Sequence, residues 1–239
     1  MNIIILRDDD HWLDPCQVEI RGRRAAHIRD HLKSLPGDTL RVGRFGGCLG
    51  QGWIEGMDQE SVRLHVVLNE QPQPRHPIEL VLALPRPKML RRILRTCAEY
   101  GVQKLHLVQS ARVEKSYWQS PLLQPHKLEE ALMTGLERSR DTIAPQIYFH
   151  RLFRPFVEDR LQQICAGRPC WIAEHGSAQA LEAMPATAAV VLIGPEGGFV
   201  PFELELAQRV IAQPVHLGAR ILSVDTALTA VLALTQAAT

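Results

Sequence analysis

Three prolines fall within the nine residues Asn69–Pro77, NEQPQPRHP, and no regular element can run through all of them. Proline has no amide donor and a fixed φ, so it is kept out of helix interiors and central strands. The segment reads as a linker, 71–77 at its core, between a region 1–70 and a region 78–239. A chain of 239 residues has room for two domains. With 46% hydrophobic and 22% charged residues, it also has the apolar material for their cores, and disorder of the bulk of the chain is excluded.

Before the linker, short β-type runs alternate with turn signals. Met1–Leu6 reads as a strand and Arg24–His31 as a short one-sided helix. Thr39–Phe45, Cys48–Met57 and Ser61–Val67 alternate as half-buried strands, broken at Gly46-Gly47 and Met57-Asp58. Several short strands in so few residues suggest a small β-barrel.

After the linker the rhythm changes to alternating strands and helices. Strands are expected over Ile78–Leu84, Lys104–Gln109, Cys170–Glu174, Ala189–Ile193 and Val215–Leu217. Helices are expected over Lys88–Tyr100, Gln124–Arg138, Pro201–Ile211 and Thr226–Ala238. This alternation predicts an α/β domain with a mostly parallel sheet covered on both faces.

Composition narrows the function classes. The 27 basic and 26 acidic residues leave a net charge of +1, so any nucleic-acid contact must come from a local patch. The basic set is five lysines and twenty-two arginines. Cys16, Cys48, Cys97, Cys165 and Cys170 are odd in number and show no C-x-x-C spacing. With no signal-peptide pattern, they read as reduced thiols of a cytoplasmic protein. The apolar tail Thr226–Ala238 is too short to span a bilayer, so no membrane partner is expected. His27 and His31 stand four apart without a third ligand nearby, and no metal site is expected.

The run Val190-Val191-Leu192-Ile193-Gly194-Pro195-Glu196-Gly197-Gly198-Phe199 carries most of the chemistry. A buried strand enters a glycine-rich turn, and a helix follows from Pro201. In an open α/β sheet such a turn sits where ligands bind, and glycines let backbone amides approach the ligand. The spacing fits neither a dinucleotide fingerprint nor a P-loop. A tight turn alone would explain the glycines, but Glu196 at a loop tip has no packing role and points to a ligand or catalytic contact. A second strand–glycine–helix passage follows at Val215-His216-Leu217-Gly218-Ala219-Arg220-Ile221-Leu222-Ser223-Val224-Asp225-Thr226-Ala227. Here Ser223 or Asp225 could simply cap the helix.

Together these passages resemble the SPOUT methyltransferases, and within them the RsmE family, which methylates N3 of a uridine in 16S ribosomal RNA. The family pattern I-G-P-E-G-G-F followed by a helix and L-G-x-R-I-L is matched by Ile193–Phe199 and Leu217–Leu222. Ala98-Glu99-Tyr100-Gly101-Val102 stands where the family has A-T-E-L-G-V, and Glu137-Arg138-Ser139-Arg140 where it has E-Q-S-x-R. The resemblance runs from about Ile78 to the C-terminus, and more weakly over the N-terminal region.

The resemblance implies a SPOUT-type trefoil-knot domain preceded by a PUA-like β-barrel that binds RNA. It implies S-adenosyl-L-methionine as cofactor, held by Glu174, Ile193, Gly194, Gly197, Gly198, Leu217, Gly218, Ile221, Leu222, Ser223 and Thr226. It further implies a homodimer acting on 16S ribosomal RNA or the small ribosomal subunit. Uracil N3 must lose a proton before it attacks, and Glu196 is the first candidate base, Asp225 the second. Arg140 is the motif-matched group to stabilise negative charge on the uracil oxygens. Where the family carries R-x-E-T-A, this chain reads Ser223-Val224-Asp225-Thr226-Ala227. That run is closer to the L-N-V-S-x-A of SPOUT enzymes that methylate tRNA ribose. Another RNA target is therefore the alternative, and an RNA-binding protein without transfer activity is a further one.

Arg86, Lys88, Arg91, Arg92 and Arg95 place five cations in ten residues with no acid among them. Lys88, Arg91 and Arg95 fall on one helical face, which reads as a phosphate-binding face or else a solvated one. Arg23 and Arg24, next to Arg21, form a second candidate RNA patch. His175 stands beside the first glycine-containing loop, Glu174–Gly176, and is a looser candidate for contact with cofactor or RNA.

Overall fold

The computed structural model describes residues 2–184 and 188–236. The described chain divides into two units, residues 1–74 with 133–144, and residues 75–132 with 145–239.

The first unit is built on a six-stranded sheet. In chain order it holds β1 (Ile4–Leu6), β2 (His11–Asp14), β3 (Gln17–Arg21), α1 (Gly22–Ala26, continued by a π-helical His27–Leu32), β4 (Thr39–Arg44), β5 (Leu49–Met57) and β6 (Ser61–Glu70). The sheet order is β1-β4-β5-β6-β3-β2. All pairs are antiparallel except β1 with β4. Alternation along β5 and β6 sends Ile54, Val62, Leu64 and Val66 inward, where they join Ile4, Leu6, Val18, Ile20, Ile28 and Val42 in one core. The inward residues are mostly β-branched, which suits a pleated, half-buried sheet. The strand before the linker runs to Glu70, further than the Val67 expected from alternation, and Glu70 is held there by Arg41 at 2.5 Å.

The second unit holds β7 (Ile78–Ala83), α2 (Pro87–Glu99), β8 (Lys104–Val108), α3 (Pro125–Ser139), β9 (Gln146–His150), α4 (Phe153–Phe156), α5 (Gln162–Cys165), β10 (Cys170–Ala173), β11 (Ala189–Ile193), α6 (Pro201–Val210), β12 (Gln213–Val215) and α7 (Val224–Leu234). A π-helical Val157–Leu161 joins α4 to α5. The six strands lie in the order β12-β10-β11-β7-β8-β9, and every pair is parallel. Every residue of β7 and β11 is buried, as central strands of a parallel sheet with helices on it must be. α2 packs with α7, and α4 with α6.

The sequence reading needs several corrections. The last short strand is Gln213–Val215, not Val215–Leu217, so Leu217 is free to serve the loop. The last helix starts at Val224 rather than Thr226 and ends at Leu234, and the last residues of the expected helix, 237 and 238, lie outside the described residues, as does Met1. Strands β2, β3 and β9 come in addition to the expected set. The division at 78–239 also shifts, because α3 passes from the second unit to the first at Met133. The reason lies in Glu137 and Thr142. Glu137 is 5% exposed and accepts bonds from Arg23 at 2.5 and 3.2 Å, while Thr142 Oγ1 donates to the Gly47 carbonyl at 2.5 Å.

One polar cluster is buried in the second unit. Glu79 on β7 accepts from Arg168 at 2.6 Å and lies 2.7 Å from His106 Nε2, whose Nδ1 lies 3.0 Å from His150 Nε2. Burial works against the Glu79 carboxylate, but the hydrogen bonds from His106 and Arg168 hold it below the usual range. Burial, with the charges of His106 and Arg160 adding to it, pushes His150 down to about 4.

Candidate active site

The chain order of the parallel sheet reverses between β7 and β11. From β7 the chain moves outward to β8 and β9, then crosses to the other side of β7, where β10, β11 and β12 follow, with β11 next to β7. Ligands of open α/β sheets bind at the carboxyl ends of strands near such a reversal. The carboxyl ends of β10, β11 and β12 are neighbours, and an open cleft lies there.

The cleft draws its lining from all three strand exits. Glu174 and His175 come from the β10 exit, Ile193, Gly194, Glu196 and Gly198 from the β11 exit, and Leu217, Gly218, Ile221 and Leu222 from the β12 exit. Gly198 and Gly218 have φ of 71° and 113°, values that side-chain-bearing residues rarely adopt, so the two turns require glycine there. The Gly198 amide donates to the Pro195 carbonyl at 2.8 Å and closes the first turn. Ile221 is 81% exposed although it lines the cleft, a large apolar surface left for a ligand or partner to cover.

Eight of the expected cofactor residues thus meet in one place: Glu174, Ile193, Gly194, Gly198, Leu217, Gly218, Ile221 and Leu222. Gly197, Ser223 and Thr226 are not among the lining residues. Gly197 turns its carbonyl to Arg112. Ser223 occupies the N-cap position of α7, but its hydroxyl donates to Asp225 Oδ1 at 2.6 Å and lies 2.9 Å from Thr226 Oγ1. His175, the looser expectation, does line the cleft.

The three catalytic candidates separate. Glu196 stands on the cleft lining, with Arg86 Nε donating to its Oε1 at 3.0 Å. Asp225 lies in a neighbouring groove with Arg92, Arg95, Thr96, Thr226 and Thr229, and Arg92 Nη1 is 3.7 Å from its carboxylate. The Ser223 hydroxyl beside Asp225 holds its carboxyl below the usual range; burial opposes this, while backbone amides and Arg92 add to it. Arg140 ends α3 in the first unit with φ of 57° and is not a lining residue.

The basic residues also divide. Arg86, Lys88, Arg91 and Arg92 are exposed along the start of α2, and three of them line a shallow groove with Met89. Arg95 is partly buried, with Nε 3.5 Å from Glu99. Against the expectation of an open basic patch, the Arg24 guanidinium is mostly buried, pairs with Asp10 and donates to the Ile5 carbonyl at 2.7 Å. Arg23 is paired with Glu137, and Arg21 with Glu19 at 2.7 Å. Among the described residues no group of three or more His, Cys, Asp or Glu could hold a metal ion, and His27 and His31 stack at 5.2 Å instead.

Two residues around the cleft have no place in the sequence reading. Arg112, on the loop after β8, reaches the glycine turn from 85 positions away, which no local pattern reveals. Glu203 does carry a signal, since an acid three residues after a helix N-cap is the mark of a capping box. It is 3% exposed and accepts from the Val200 amide at 3.0 Å.

Fold and cleft together define an α/β domain whose adjacent strand ends carry glycine turns that line one cleft. The chain belongs to a known family: the model of the RNA methyltransferase domain matches residues 71–236. It is similar to Ribosomal RNA small subunit methyltransferase E of Treponema pallidum (strain Nichols), 27% identical over 236 residues that cover 95% of this chain and 87% of the relative. The protein of the same name from Synechocystis sp. (strain ATCC 27184 / PCC 6803 / Kazusa) is 27% identical over 87% of this chain and 68% of the relative. The fold is similar to the crystal structure of a Ribosomal RNA small subunit methyltransferase E from Neisseria gonorrhoeae bound to S-adenosyl methionine. The TM-score is 0.75 and the identity 19%, over 98% of this chain and 95% of that one.

Proposed function

We propose that this protein transfers a methyl group from S-adenosyl-L-methionine to N3 of a uridine in 16S ribosomal RNA. The observation that carries the reading is the cleft at the ends of β10, β11 and β12, lined by glycine turns and rimmed by Glu196. The residues fit the donor. Backbone groups at Gly194, Gly198 and Gly218 suit a purine edge and ribose, the apolar Ile193, Leu217 and Leu222 suit the base faces, and Glu174 suits a cationic group. We assign Gly197, Ser223 and Thr226 to support these turns rather than to touch the donor.

When bound, S-adenosylmethionine supplies a methyl group already made electrophilic by its sulfonium. The chain then has to hold the uracil in line and take its N3 proton. Glu196 is placed for that proton, and its carboxylate is kept near the rim by Arg86. Asp225 is the weaker base, since a carboxyl held below its usual range gives its negative charge up less readily. Arg140 keeps its assigned role, charge stabilisation on the uracil oxygens, on motif grounds alone.

Several finer assignments go with this reading. The first unit is taken as a PUA-like barrel that binds RNA, and the second as the trefoil-knot domain of SPOUT enzymes. The exposed start of α2, with Arg86, Lys88, Arg91 and Arg92, is taken to meet RNA phosphates. The protein is taken to act in the cytoplasm as a homodimer, which would cover apolar residues such as Ile221 and Leu234. No helix among the described residues is long and apolar enough to cross a membrane. Radiolabel from the methyl group of S-adenosylmethionine should enter 16S RNA of undermethylated small subunits when the protein is added. No label in any RNA, with donor binding shown in the same preparation, would leave an RNA-binding protein without transfer.

A further inference from the structure

The glycine turn that lines the cleft is gripped from its far side. Arg112 Nη1 donates to the Gly197 carbonyl and lies 3.4 Å from the Gly198 carbonyl. In a trans peptide the next amide points opposite to the carbonyl. With the Gly197 carbonyl turned toward Arg112, the Gly198 amide is therefore turned the other way, to the Pro195 carbonyl it bonds at 2.8 Å. A Cβ on Gly197 would come to about 3.0 Å from Arg112 Cδ, so the arginine stem lies close against the turn.

Arg112 is itself mounted on a fixed base. The buried Glu203 carboxylate accepts from the Ala111 amide at 2.7 Å, from Ser110 Oγ at 3.0 Å and from the Val200 amide at 3.0 Å. One carboxylate thus joins the loop after β8 to the start of α6, the helix that the glycine turn enters. Gln109 stiffens the same loop by donating to the Ser110 and Val113 carbonyls at 2.6 and 3.0 Å, and by accepting from Trp118 Nε1 at 2.5 Å. A buried charge with three donors is the kind of anchor that tolerates no slack.

We propose that Arg112 is a positioning residue, seated by Glu203, that holds the Pro195–Gly198 turn in the shape that receives the methyl donor. The proposal rests on the reading of the cleft as a donor site. Arg112 is assigned no contact with donor or RNA. It acts through the carbonyls of Gly197 and Gly198, and being exposed it has little part in the core.

The test compares wild type, Arg112→Ala and Arg112→Lys by calorimetric titration with S-adenosylmethionine. It adds amide exchange at Gly197, Gly198 and Phe199 without donor. Removing a charged donor from two carbonyls should weaken donor binding about tenfold and speed exchange of these amides by a similar factor. The melting temperature should stay within about 2 °C. Lysine should restore part of both effects, since it offers charge without the fork that reaches two carbonyls. Arg112→Ala with wild-type exchange and affinity would overturn the proposal, as would a large fall in melting temperature, which would mark a merely structural role. If wild type itself fails to bind the donor, the reading of the cleft falls, while the exchange data still decide whether Arg112 sets the turn.

Discussion

Arg86 and Glu196 join the exits of β7 and β11 through a hydrogen bond of 3.0 Å, at the place where the chain order of the sheet reverses. The two residues are 110 positions apart, yet the sequence puts each at the end of a buried strand. The pair places a carboxylate at the rim of the cleft and a cation beside the basic start of α2.

Glu196→Gln keeps an acceptor for Arg86 but no longer takes a proton. Donor affinity should stay within about twofold, while methyl transfer should fall by roughly 10²- to 10⁴-fold, the usual worth of a positioned base. Calorimetry and single-turnover transfer check the two halves. A variant with full turnover would remove Glu196 from the chemistry and return the role of base to Asp225.

Charge reversal at Lys88 and Arg91 removes two exposed cations that neither Glu196 nor Asp225 engages. RNA affinity should fall, and the slope of log K against log salt should become shallower by about 0.7 to 0.9 for each phosphate no longer neutralised. Binding measured across a salt series reads this directly. An unchanged slope would make this helix start an ordinary solvated face.

Stability should fall on mild acidification because of His150. Burial first, then the charges of His106 and Arg160, push it down to about 4 from an ordinary value of 6.5. Between those two values the unfolded chain takes up a proton that the folded chain refuses, so stability drops as pH falls through that window. His76, lowered by burial, works in the same direction. Thermal melts from pH 7 to 4.5 should show the decline, and His150→Gln should make it shallower. A melting temperature that is flat over this range would contradict a half-buried, neutral His150.

Much of the cleft is legible in the sequence because its parts are local. Ile193–Phe199 runs from the end of β11 to just before α6, and Leu217–Leu222 lies between β12 and α7, so the sequence order alone brings Gly194, Gly198, Gly218 and Leu222 to strand exits. What escapes is non-local or weakly patterned. β9 is an edge strand whose Tyr148 and Phe149 are both exposed, so no residue of it is buried and the alternation breaks after three residues. The departure of residues 133–144 from the second unit depends on Glu137 meeting Arg23, 114 positions away. The same pairing, and that of Arg24 with Asp10, cannot be seen by charge counting. The hydrogen bond to Asp225 from Ser223 and its contact with Arg92 cannot be seen in the sequence either.

The most direct measurement identifies the product. Purified protein is incubated with S-adenosylmethionine and undermethylated small ribosomal subunits, the RNA is digested, and the methylated nucleosides are separated. The account predicts 3-methyluridine, lost when Glu196 is replaced by glutamine. A ribose-methylated nucleoside, or methylation confined to tRNA, would contradict it and give the Ser223-Val224-Asp225 run the meaning it has in ribose methyltransferases.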